Sequence, residues 1–315
     1  MKLSSAIDNY VALKRSLGAV FSVDVRILRS FSRTLGDISL EAIVPEECRK
    51  FCRGKGLPTR FGERKHQSLQ GFFRYLVARG YLLRSPLHGP PPRMERTFHP
   101  YIYSHDEVRR LLEATSQERS RRTLLQPETL RTLVLLLYAT GLRAGEALGL
   151  RPCDVNLQDR VLSVWNTKFF KSRLVPVGAS LATALARYAQ QHPPLGPPEE
   201  HHSRFFTTRT AMPVRLGLLE AGFVRLRKRT GIRRLPTDRW QPRLHDLRAT
   251  FAVHRLVAWY REGVDLQKRL PLLATYLGHV NLSGTQAYLT MTHELLVEAS
   301  RRFERYAQPK EDPDA

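Results

Sequence analysis

Apolar residues recur at helical spacing through the first eighty positions. Ser4 and Ser5 can cap a helix that carries Ile7, Tyr10, Val11 and Leu13. Val25, Ile27, Leu28, Phe31 and Leu35 repeat the spacing, as do Leu69, Phe72, Phe73, Leu76 and Val77. The segment from Ser85 to Pro100, SPLHGPPPRMERTFHP, breaks the pattern. Its five prolines block helix and remove sheet donors, so it reads as a semi-rigid linker. Beyond it, Ser104 to Glu107 is a capping-box start for a helix with Val108, Leu111 and Leu112. Glu128 to Ala139 is an apolar helix, expected to be buried on most sides and to end at Thr140–Gly141. From Arg160 to Val177 the period changes: VLSVW alternates, TKFFKSR intervenes and LVPV follows. That predicts a β-hairpin with basic residues at and beside its turn. Helical spacing resumes at Leu181–Tyr188, Leu216–Arg229, Leu247–Tyr260, Leu270–Leu277 and Glu294–Ala307.

The expected class is therefore mainly α. A small helical domain spans residues 1–84, a linker 85–100, and a larger mixed domain, helical with a small β-sheet, 101–308. A polar tail, 309–315, is expected to be disordered. The last helix carries Leu295, Leu296, Ala299, Phe303 and Tyr306 as an apolar stripe, which suits packing on its own core or on a neighbouring subunit.

Charge changes the picture. Lys and Arg total 51 of 315 residues against 29 acids, a formal +22 spread along the chain. A folded surface meeting a polyanion explains such an excess, because each phosphate neutralised releases a counterion. In the first domain the basic residues Lys50, Arg53, Lys55, Arg60, Arg64 and Lys65 interleave with the apolar pattern and are candidate DNA contacts; a bundle whose solvated face is basic would look the same. Three cysteines, Cys48, Cys52 and Cys153, form no CxxC pair and suit a reduced, cytoplasmic setting. Cys48 and Cys52, four apart, can share a helix face as free thiols. The longest apolar stretch, Leu133 to Ala139, is too short to span a bilayer, so no membrane partner is expected.

Four segments suit phosphate chemistry: TGLRAGEAL (Thr140–Leu148), TKFFKSR (Thr167–Arg173), HDLRATF (His245–Phe251) and LGHVNLSGTQAY (Leu277–Tyr288). Each alone is a weak signal. Tyr288 by itself is an ordinary half-buried tyrosine, and His245 an ordinary helix-start histidine. As an ordered set, with the tyrosine nine residues after the LGH histidine, they resemble the active-site boxes of the tyrosine recombinases, the phage integrase family.

The resemblance is sharp from Ser104 onward and covers both domains in outline. It implies an N-terminal helical core-binding domain of SAM-like type and a C-terminal catalytic domain, clamped around opposite faces of duplex DNA. It further implies that Arg143 and Arg248 are the catalytic arginines, with Glu146 supporting the first. Lys168 is the hairpin lysine and proton donor, with Lys171 as the alternative. His245 and His279 are the box histidines, and Tyr288 is the nucleophile that forms a 3′-phosphotyrosine. Arg173, on the same hairpin, is left as a candidate DNA contact. The chemistry agrees with those residue types. A crowded, doubly charged transition state needs donors aimed at non-bridging oxygens, and the planar, permanently charged guanidinium supplies them in pairs. The departures are mild: Ala249 stands where the family often has a larger polar residue, and His192 to Pro213 is proline-rich.

The resulting expectation is a site-specific DNA recombinase or integrase, of a mobile element, that uses no metal or nucleotide cofactor. Its expected partners are double-stranded DNA with inverted-repeat sites, three further copies in a homotetramer, and possible sister recombinases. Two other classes stay open: a catalytically silent DNA-binding architectural protein, and a topoisomerase IB-like or telomere-resolving strand transferase. His201–His202 lack a spaced third ligand for a metal.

Overall fold

The computed structural model describes residues 1–19, 21–54, 59–90, 99–117, 123–165, 172–193, 203–235, 238, 240–279, 283–290 and 293–307. The chain forms two compact units that divide between Phe98 and His99.

The first unit is helical: α1 (Leu3–Ser16), α2 (Ser22–Leu35), α3 (Pro45–Arg53) and α4 (Arg60–Ala78). Its core gathers the spaced apolar residues, with Leu3, Leu28, Phe31, Leu69, Phe72, Phe73 and Leu76 fully buried. Val77, expected in that stripe, turns outward. The periodicity of PEECRKFCR was too short to predict α3. Pro45 starts it, and Cys48 and Cys52 do share its inner face. Burial pushes the Cys48 thiol up to about 12 and that of Cys52 up to about 11, which keeps both protonated and inert. Thr59 caps α4 by accepting from the Gly62 amide at 3.0 Å. Gly62 lies so close to α3 that a Cβ would stand 2.7 Å from the Cys52 carbonyl. Leu87, within the expected linker, is buried in this core.

In the second unit, α5 (His105–Ala114) opens on the expected capping box, Ser104 with Glu107. The apolar α6 (Pro127–Thr140) runs through the centre, with Leu130, Leu133, Val134 and Leu136 fully buried. It ends where Gly141 takes a left-handed conformation, φ +63°. A short α7 (Ala144–Gly149) follows. The sheet is β1 (Val155–Asn156), β2 (Val161–Val164) and β3 (Arg173–Pro176), antiparallel in that order, with Val164 opposite Arg173. The sequence predicted the β2–β3 hairpin. The two-residue β1 was too short to show a period. Then come α8 (Ala179–Gln191), α9 (Leu216–Arg229), α10 (Asp246–Arg261), α11 (Leu266–Leu277), the single turn α12 (Ser283–Gln286) and α13 (His293–Ala307).

Helix α13 packs on α10, where Arg261 and Arg301 both reach the buried Glu298 at 3.2 Å. Leu296 and Phe303 of the expected stripe are exposed. Among the described residues, no helix is long and apolar enough to cross a membrane.

Candidate active site

The site forms where the ends of α6, α10 and α11 meet. Gly141 closes α6 and leaves no room for a side chain: a Cβ there would stand 2.6 Å from the Phe251 ring and 2.8 Å from Leu277. The chain then turns so that Arg143 caps α7. Glu146, in the first turn of α7, accepts from the Arg143 amide at 3.0 Å and from its Nη1 at 2.8 Å. The side chain of Arg143 remains 42% exposed, so it is fixed at one end and accessible at the other.

Arg248 is in the first turn of α10 and is buried. Its Nη1 donates to the Gly141 carbonyl at 2.6 Å and its Nη2 to the Leu277 carbonyl at 2.7 Å. Both carbonyls sit at the negative ends of helices, which offsets part of the cost of burying a cation. Burial, and then Arg143 nearby, lower its pKa to about 10, so it is charged at neutral pH. Tyr288 is close enough to Arg248 to act on its charge.

His245 stands one turn before Arg248, at the start of α10. Its pKa is lowered by burial and then by Arg248 and Arg243, so it is neutral and able to accept a proton. His279 follows Gly278, which ends α11 in a left-handed turn. Its Nδ1 lies 2.7 Å from the hydroxyl of the fully buried Thr285, a contact that fixes the orientation of the ring. Burial, with Arg248, Arg143 and Arg173, lowers its pKa to about 4. The Tyr288 ring is half-buried in a 3-10 turn (Ala287–Thr290), with its centroid 6.0 Å from that of His279.

Five of the expected residues (Arg143, Glu146, Arg248, His279 and Tyr288) thus come from three separate chain segments into one neighbourhood, with His245 beside them. Rival tyrosines are occupied elsewhere. The Tyr138 hydroxyl lies between the Nδ1 atoms of His105 and His254, at 3.1 and 3.0 Å, and Tyr276 donates to the Pro176 carbonyl. Lys168, Lys171 and Lys55 lie outside the described residues.

Arg173 departs from the expected DNA contact. Its side chain is 10% exposed and its guanidinium turns inward to Glu146, at 2.7 and 3.2 Å, and to the Tyr276 carbonyl, at 2.9 Å. A basic residue beside a hairpin turn reads as a surface residue; only the fold reveals that the strand delivers it beneath Arg143. In the first unit, Lys50, Arg53 and Arg60 are exposed as a DNA-facing set requires. Arg64 is exposed as well, and both it and the half-buried Lys65 have partners within the unit. Arg64 pairs with the buried Asp24 at 2.5 Å, and Lys65 donates to the Phe51 carbonyl at 3.0 Å while sitting 4.2 Å over the Phe51 ring. Thr285 was missed, because a threonine in a single helical turn carries no signal until it is seen against His279.

Arg143 and Arg173 both bond to the carboxylate of Glu146, and Arg248 is near enough to interact with its charge. The excess positive charge, with two neutral imidazoles and a phenol at its edge, is suited to a phosphodiester anion. No group of His, Cys, Asp and Glu able to hold a metal ion occurs among the described residues.

A fold of this kind with a site of this kind defines a class of DNA strand-transfer protein. The profile of the phage integrase family matches residues 102–294, and the chain belongs to that family. It is 34% identical to a putative integrase/recombinase, y4rB, of Sinorhizobium fredii (strain NBRC 101917 / NGR234), over 95% of this chain and 96% of that one. It is 29% identical to the tyrosine recombinase XerD of Listeria innocua serovar 6a, over 80% of this chain and 79% of the other. Among solved structures, the Tn1549 transposon integrase in complex with transposon right end DNA has the same fold. The TM-score is 0.72 at 16% identity, covering 98% of this chain and 100% of that one. A lambda integrase dimer bound to a COC′ core site gives 0.65 at 20% identity, covering 90% and 96%.

Proposed function

We propose that this protein is a site-specific DNA recombinase that breaks and rejoins strands through a phosphotyrosine formed by Tyr288. The observation that carries the reading is the convergence of Arg143, Arg248, His279 and Tyr288 around a buried, positively charged point. Arg143 and Arg248 hold the non-bridging oxygens of the scissile phosphate, and His279, oriented by Thr285, adds a hydrogen bond. Their positive charge also favours the phenolate of Tyr288. Neutral His245 accepts the phenol proton or a further phosphate contact. Attack on phosphorus forms the Tyr288–phosphate bond and breaks the bond to the 5′-oxygen, which leaves with a proton from Lys168. The 5′-hydroxyl of a partner strand then attacks the phosphotyrosine, and Tyr288 departs with a proton returned to it. The bond energy is conserved, so the cycle calls for no nucleotide and no metal.

The exposed Lys50, Arg53 and Arg60 make the helical domain a second DNA-holding element. The working unit is four copies on two inverted-repeat sites, alone or with a sister recombinase, in the service of a mobile element. The names of the relatives support this reading, and the inert buried thiols suit the cytoplasm, where the DNA lies. A plasmid carrying two directly repeated copies of the protein's inverted-repeat site tests it. Wild type should resolve the plasmid into two circles. If Tyr288→Phe resolves it as well, or if wild type only relaxes it, the reading is wrong.

A further inference from the structure

The inward-facing Arg173 has a geometry that suits a specific task. One edge of its guanidinium grips both oxygens of Glu146, at 2.7 and 3.2 Å, while Nε donates to the Tyr276 carbonyl at 2.9 Å. The same two oxygens of Glu146 receive Arg143, at 2.8 Å through Nη1 and 3.0 Å through the amide. The carboxylate is saturated between two arginines and has no freedom to rotate. Gly278 packs against the other side of Arg173, where a Cβ would stand 2.8 Å from Nη1. That glycine starts the turn to His279, and its carbonyl lies 3.5 Å from Nη2 of Arg143. Arg173 also opens β3, opposite Val164, five residues after Lys168 in the chain.

We propose that Arg173 is a positioning residue for phosphate transfer, resting on the recombinase reading above. By fixing the plane of Glu146 it fixes where the accessible end of Arg143 points. By holding the Tyr276 carbonyl and packing on Gly278 it fixes where His279 leaves α11. Arg143 on its own is a half-exposed side chain with many rotamers, and a carboxylate three residues away holds it only as well as that carboxylate is held. A lysine at 173 restores the charge but not the fork together with the third donor, so charge alone does not perform this task.

The test is single-turnover cleavage of a nicked duplex carrying the protein's own site, with Arg173→Lys and Arg173→Gln in the full chain. Both variants should bind DNA as wild type does while cleavage falls roughly 10²-fold, the usual size of a misplaced catalytic group. A methylphosphonate at the scissile position removes one charged non-bridging oxygen, and with it much of the demand on Arg143. On that substrate R173Q should come close to the wild-type rate, which a merely unstable variant would not do. In an Arg143→Ala background, adding R173Q should cost clearly less than it costs in the wild type, because only the part that acts through His279 remains. If either variant fails to melt cooperatively, Gly278→Ala, which pushes the guanidinium from its other side, carries the same expectations. Wild-type cleavage by R173Q overturns the proposal. So do equal losses on both substrates, or losses that multiply with R143A. Wild type that forms no covalent adduct at all overturns the recombinase reading, and that result is visible before any variant is compared.

Discussion

Nη1 of Arg248 donates to the carbonyl of Gly141 at 2.6 Å, which ties the first turn of α10 to the left-handed end of α6. A guanidinium has five N–H groups. Two of them, on the Gly141 and Leu277 carbonyls, set the plane of Arg248 before any substrate arrives, and in the proposed reaction the others meet the phosphate. Arg248→Ala should therefore lose structure and activity together. Two buried carbonyls without partners cost roughly 1–3 kcal/mol each in denaturant melts. Cleavage should fall by about 10²–10³-fold or more, as when a preorganised donor is removed. Arg248→Lys reaches at most one carbonyl and should recover stability ahead of activity.

His279 gives a pH signature. Its folded pKa, about 4, lies below the ordinary 6.5, so the fold favours the neutral ring. That contribution to stability is complete above pH 6.5 and is lost as pH falls from there through 4. Melting curves of wild type and His279→Asn should diverge over that window, wild type losing stability faster with acid. Parallel curves would mean that the ring is not held neutral. His245, lowered for the same cause of burial, adds to the acid loss in the same direction.

Gly141→Ala should destabilise the catalytic domain. The new methyl group would meet Phe251 and Leu277 at 2.6 and 2.8 Å, in a left-handed backbone that L side chains avoid. A loss of roughly 1–3 kcal/mol is expected from the strained conformation, with overpacking in addition. Thermal melts of the alanine variant measure it; a stability equal to wild type would mean that α6 and α10 can move apart freely.

The proton donor can be assigned by changing the leaving group. A 5′-bridging phosphorothiolate expels a thiolate, which needs no proton. Lys168→Ala should cleave ordinary DNA slowly and the phosphorothiolate at nearly the wild-type rate. Lys171→Ala should show little difference between the two substrates. The opposite pattern assigns the task to Lys171.

Much of this architecture was legible in the sequence, for physical reasons. The run TLRTLVLLLYA is apolar on nearly every side, so α6 had to be central, and Thr140–Gly141 had to end it. The alternation in VLSVW and LVPV marked β2 and β3 as the paired strands of a hairpin. Arg143, Arg248, His279 and Tyr288 were singled out by the resemblance of their segments, taken together, to the tyrosine recombinase boxes, and none of them stands out by its local pattern. What was missed depends on long-range packing. Arg173 and Tyr276 are more than a hundred residues apart in sequence, and nothing near Arg173 announces that its partners are Glu146 and a helix-end carbonyl. Thr285 against His279 is a contact across a turn that no periodicity describes. Leu87 joins the first core from within a proline-rich stretch, because prolines exclude helix and sheet but do not exclude burial.

The most direct test of the central claim is covalent capture. A duplex carrying the cognate inverted repeat, nicked just beyond the cleavage point, loses its short 5′-hydroxyl fragment once cut, so the strand cannot be resealed. Wild type should accumulate a protein–DNA adduct that survives denaturant, and peptide mapping should place the DNA 3′-phosphate on Tyr288; Tyr288→Phe should give none. An adduct that persists in Tyr288→Phe, or that maps to another residue, would contradict the account.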